Sequence, residues 1–182
     1  MTIPSQRNVV HSDEELQIGS QYFRYHVRMY VETLLWLQDR PASTEWDTVR
    51  NAILEDHLVH TRVLINFLSK FEKRERKNDV LAVDYFHDRR DMFQPLSDDF
   101  LKNQADNIGG YLVHITTKSM PNLKSKQEWF IRETALKLVP AIKTFLFAAL
   151  ENRLVDGAKN DCLGYLRKLS PPEIPVSLRA ST

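Results

Sequence analysis

Trp46, Val49, Ile53, His57, His60, Leu64, Phe67 and Phe71 follow one another by steps of three or four without a miss. Steps of that size stay on one side of a helix with 3.6 residues per turn and cannot stay on one side of a strand. The stripe predicts a helix over 44–73, opened by Ser43 or Thr44 as cap. It also turns two imidazoles, His57 and His60, toward whatever the apolar side covers. A buried polar group without a partner costs roughly 1–3 kcal/mol, so both rings call for one. Asp56, four residues before His60, can touch it on one helical face. A carboxylate that orients an imidazole serves both catalytic and purely structural sites.

The remainder reads in the same idiom. Five glycines in the whole chain leave long stretches without a breaker, which favours helices over many short strands. "SDEE" at 12–15 has the form of a capping box and opens a first helix whose stripe is Leu16, Phe23, Val27, Tyr30, Leu34 and Leu37. Pro41 ends it. Ser97 and its following acids suit the start of a third helix, carrying Phe100, Leu101, Ile108, Leu112 and Ile115 to about Lys118. Gly109 and Gly110 inside it suggest a local break or a close approach by another helix, with His114 beside the stripe and facing toward His60. "SKQE" at 125–128 is a second capping box, opening a helix to about Leu154 that Pro140 should kink or split. "CLGYLRKL" at 162–169 suits one more helical turn. These elements predict an all-α fold, an antiparallel bundle of four long helices with a middle crossover over 73–96. The domain spans 1–168, and a Pro-rich, irregular tail covers 169–182.

Composition and motifs narrow the function. A formal net charge of +1 supplies no global field toward nucleic acid or membrane. "LKLVPAIKTFLFAAL" is too short and too charged to span a bilayer. The single cysteine, Cys162, and an N-terminus without a basic start and apolar core suggest a cytoplasmic protein. There is no glycine-rich phosphate loop, dinucleotide fingerprint or nucleophile elbow, and no cofactor is expected. The Glu-x-x-His pairs of helical di-iron sites do not occur. His57, His60, His114 and Asp56 have the ligand types of a zinc site at merely permissive spacing, and no metal is expected. The 70–90 region, with Tyr85, Phe86 and His87 among basic residues, reads either as a solvated helix end or as a basic-aromatic surface for nucleic acid.

"LEDHLVHTRVLINFL" (54–68) and "YLVHITT" (111–117), the latter ahead of a tryptophan-bearing helix, resemble bacterial helical-bundle proteins similar to the HEPN superfamily and its abortive-infection branch. The resemblance covers about residues 50–150. It implies a bundle that dimerises and, in many members, a metal-independent ribonuclease. Its arginine, followed after four to six residues by histidine, acts on the 2′-hydroxyl and the scissile phosphate. The window before His114 holds Asn107, Ile108 and Gly109 and no arginine; "RNAILEDH", Arg50 to His57 with Asn51 after the arginine, fits. On this reading the candidate catalytic residues are Arg50, His57, His60, Arg62 and His114, the histidines in acid/base roles, and RNA is a candidate partner. The other reading is a non-enzymatic interaction module, a homodimer through a helix face.

Overall fold

The structure is a computed structural model that describes residues 10–40, 47–69, 79–86, 89, 92–113, 128–169 and 178–179. Among the described residues it is all-α in character, with five α-helices: α1 (Asp13–Asp39), α2 (Asp47–Leu68), α3 (Asp99–Ile108), α4 (Ile131–Ala148) and α5 (Ala158–Arg167). No helix among the described residues is long and apolar enough to cross a membrane.

α1 starts where its capping box stands. The Glu15 amide donates to Ser12 Oγ (3.2 Å) and the Ser12 amide to Glu15 Oε2 (2.8 Å). α2 stops short of the predicted end at 73, because the Leu68 carbonyl accepts from the Leu96 amide at 2.8 Å and Ser69 bridges to Leu96. Phe71, the caps Ser43 and Thr44, and the basic run 70–77 lie outside the described residues, as does His114. α1 and α2 are antiparallel, for Phe23 meets Phe67, His26 meets His60 and Thr33 meets His57.

The middle connection is a working part of the core. Ala82–Phe86 form a 3-10 turn, started by Asp84 accepting from the Leu81 amide at 2.7 Å. Tyr85 donates to the Leu16 carbonyl of α1 at 2.6 Å. Gly19 makes this approach feasible: a Cβ there would stand 2.9 Å from Val80 Cγ1 and 3.0 Å from the Tyr85 hydroxyl. Tyr85 and Phe86 are 0% and 2% exposed and join Phe23, Phe67 and Phe93 around Phe145. Rings so buried cannot stack on bases. His87, Arg90 and residues 70–78 lie outside the described residues.

The later helices differ from expectation in their limits. Asp98, rather than Ser97, caps α3, accepting from the Leu101 amide at 3.0 Å. The third helix turns π-helical over Gly109–Val113. Arg62 explains the glycine: a Cβ on Gly109 would lie 2.8 Å from the guanidinium carbon. α4 begins at Ile131, six residues after Ser125, because Glu128–Trp129 (β1) pair with Leu178–Arg179 (β2) as a short antiparallel ribbon. Leu178–Arg179, a piece of the Pro-rich tail, is thus extended and paired. Pro140 is accommodated inside α4 without splitting it. α5 has ten residues, more than the single turn expected, and packs on α1 through Arg24 and Asp161 at 3.1 Å.

Candidate functional site: an imidazole pair at the α1–α2 groove

His26 and Thr33 are seven residues apart, two turns of α1, and so share one edge of its apolar stripe. That edge faces the two histidines of α2. His57, 1% exposed, has Nδ1 at 3.0 Å from Thr33 Oγ1, and its ring stacks on Tyr30 at 4.9 Å between centroids. The Thr33 hydroxyl donates to the Met29 carbonyl at 2.7 Å, so toward His57 it accepts, and His57 carries its hydrogen on Nδ1. Burial holds this imidazole's pKa down at about 3, well below the ordinary 6.5. Beside it is a cavity of about 10 Å³, lined in part by Thr61, Gln104 and Thr134. That is room for roughly one water and for no substrate.

The second pair is of a different kind. His26 Nδ1 and His60 Nδ1 stand 2.7 Å apart. Two lone pairs or two N–H groups would repel at that distance, so one hydrogen lies between the rings. Asp56 Oδ1, 3.3 Å from His60 Nε2, keeps a hydrogen on that nitrogen. The network therefore assigns His60 Nδ1 as acceptor and His26 Nδ1 as donor, which leaves His26 Nε2 with a free lone pair. Tyr25 stands roughly perpendicular to both imidazoles, with ring centroids 5.4 and 5.6 Å apart. Both pKa values are lowered: His26 by burial and by its neighbour His60, His60 by burial that outweighs the pull of Asp56. The pair can take one added proton, on His26 Nε2, and keep its contact. A further proton would set two N–H groups face to face.

His26 lines a groove of about 720 Å³ between α1 and α2. Ile18, Tyr22, Phe23, Val63 and Phe67 form much of its wall, and Glu15, Asn66 and Asp79 supply polar points. Near one end His11 Nε2 approaches the Asp79 carbonyl at 3.3 Å and Asp84 Oδ2 at 3.6 Å. No lysine or arginine is among the described lining residues.

Of the residues singled out in the sequence, His57 and His60 both face α1 but enter separate contacts. Arg50 is 3% exposed, within the interior near the start of α2. Arg62 projects about 160° around α2 from His60 and lies against Gly109, so these two do not share a site. His114 follows the π-helical turn and lies outside the described residues. The Asp56–His60 contact is the one the i,i+4 spacing suggested. His26 and Thr33 were the omissions. Their seven-residue spacing on the edge of the α1 stripe was the signal in reach. Among the described residues no group of three or more His, Cys, Asp or Glu could hold a metal ion. Asp56 and His26 meet opposite nitrogens of the His60 ring and share no common point.

No protein-family model, curated protein or solved structure matches the chain.

Proposed function

We propose that this chain is a binding module whose receptor is the groove between α1 and α2, with the His26–His60–Asp56 chain as its polar recognition point. The architecture assigned to it is an antiparallel frame of α1 to α4 with α5 laid against α1. The carrying observation is where apolar surface is left in water. Ile18 and Tyr22 are 51% and 66% exposed and line the groove with Val63, and exposed Tyr25 covers the imidazole pair. Apolar side chains collected beside a concave polar point favour a ligand or partner over plain solvation. A second copy closing over this face is the dimeric form of the module.

The test uses a neutral apolar dye, Nile red. Its fluorescence rises on the wild-type protein, and Val63→Trp, which fills the groove from α2, removes most of the rise while the circular dichroism is unchanged. Equal dye binding by the folded variant defeats the proposal.

A second reading, the RNA-linked, metal-independent ribonuclease implied by the HEPN resemblance, draws on the same imidazole pair, with His26 and His60 in acid/base roles. Among the described lining residues there is no lysine or arginine to meet a polyanionic substrate. RNA cleavage that survives a chelator and disappears in folded His60→Ala supports this second reading; intact RNA in both samples supports the first.

A further inference from the structure

We propose that the cavity beside His57 is a binding site for one structural water, held at once by α2, α3 and α4. The inference is independent of the groove between α1 and α2.

The cavity, of about 10 Å³, lies where these three helices meet. Four polar side chains line it: His57 and Thr61 of α2, Gln104 of α3 and Thr134 of α4. They are 1%, 2%, 7% and 5% exposed, so bulk solvent does not satisfy them. Polar groups at such depth are paired, with protein or with ordered water, in the large majority of proteins.

The hydrogen-bonding capacity of these groups selects the occupant. His57 Nδ1 is turned to Thr33 on α1, and no residue of α1 is among the described lining, so the nitrogen left for the cavity is Nε2. With the ring hydrogen on Nδ1, Nε2 offers a lone pair. The Thr61 hydroxyl donates its hydrogen to the His57 carbonyl at 2.8 Å and likewise has only lone pairs to give. The Thr134 hydroxyl and the Gln104 amide have no hydrogen-bond partner among the described residues, and both carry hydrogens to donate. Two acceptors and two donors therefore line a space of single-molecule size. A water has the reciprocal set, two hydrogens and two lone pairs. A halide ion meets the lone pairs of His57 and Thr61 with lone pairs of its own. An ammonium ion leaves the hydrogens of Gln104 and Thr134 unanswered. Any larger ligand exceeds the volume.

The water donates to His57 Nε2 and Thr61 Oγ1 and accepts from Gln104 and Thr134. Both nitrogens of His57 are then paired, one with α1 directly and the other with α3 and α4 through the water. The imidazole becomes the polar junction of four helices whose other mutual contacts are largely apolar.

The test is a crystal structure of the whole chain, read with the nitrogen-15 resonance of His57 Nε2 at neutral pH. The inference expects one isolated density peak at about 2.7–3.2 Å from His57 Nε2, Thr61 Oγ1, Thr134 Oγ1 and the Gln104 amide. It expects an Nε2 resonance typical of a bare nitrogen that accepts a hydrogen bond. The double variant Gln104→Leu, Thr134→Val removes both donors while keeping the side-chain shapes. There the peak is lost and the resonance moves toward that of an unbonded nitrogen. A dry cavity in the wild type, or a Gln104 amide bonded directly to His57 Nε2, overturns the inference. So does a peak and resonance unchanged in the folded double variant. If that variant does not fold, the wild-type density and resonance decide alone.

Discussion

Thr33 Oγ1 lies 3.0 Å from His57 Nδ1, and the threonine's own hydrogen is engaged elsewhere, with the Met29 carbonyl. The contact fixes a neutral imidazole in the interior. Its pKa, pushed down to about 3 from an ordinary 6.5, ties the fold to pH. Between those values the unfolded chain binds a proton that the folded chain refuses. The contribution is therefore complete above the unfolded pKa and is lost as pH falls toward the folded one, with a slope up to roughly 1.4 kcal/mol per pH unit. His26 and His60 act in the same sense, their pKa values also being lowered.

Urea unfolding at pH 7, 6 and 5 measures this directly. Wild-type stability declines across the series. His57→Asn, whose amide can still donate to Thr33, declines less steeply by up to one proton's worth. An identical slope in the variant means that His57 is not the acid-sensitive group.

Tyr30 gives a prediction of opposite flavour. Its hydroxyl is buried and has no hydrogen-bond partner among the described residues. Removing an unsatisfied buried hydroxyl costs no bond, so Tyr30→Phe is expected to be neutral or stabilising by up to about 1 kcal/mol. A loss of more than that in thermal unfolding would reveal a partner for the hydroxyl.

Two helical glycines should respond in opposite directions to alanine. At Gly19 the new methyl meets Val80 at 2.9 Å and the hydroxyl of Tyr85 at 3.0 Å, and Tyr85 is itself tied to Leu16. Overpacking of roughly 1–3 kcal/mol outweighs the better helix propensity. At Gly164 in α5 nothing lies within 4 Å, so Gly164→Ala stabilises by about 0.5–1 kcal/mol. Chemical denaturation of the two variants checks the sign of each, and Gly19→Ala as stable as wild type would show that the 79–86 segment does not rest on α1.

Much of α1 and α2 was legible in the sequence because their information is local. The Ser12–Glu15 box, the inward turn of His57 and His60, and the Asp56–His60 contact all follow from spacing within one helix. The Gly109–Gly110 pair likewise suggested a break or a close approach; the chain turns π-helical there, and Arg62 lies against Gly109 while nothing lies within 4 Å of a Cβ on Gly110. What did not show depends on register between elements. His26 and Thr33 look like ordinary boundary residues until α2 is laid antiparallel beside them. Glu128 reads as a capping residue until Leu178–Arg179, some fifty positions onward, claims its backbone. Tyr85 and Phe86 sit in a short 3-10 turn whose burial no periodic pattern of five residues can record.

The claim at the centre of the site is that a single hydrogen joins His26 and His60. Nitrogen-15 spectra of histidine-labelled protein across pH 4 to 8 test it most directly. Near neutral pH His26 Nδ1 is expected to be protonated and His60 Nδ1 bare, added acid to appear first at His26 Nε2 below the ordinary histidine value, and His60→Phe to change the His26 titration. Two rings titrating independently at the ordinary value of about 6.5, each indifferent to replacement of the other, would contradict it.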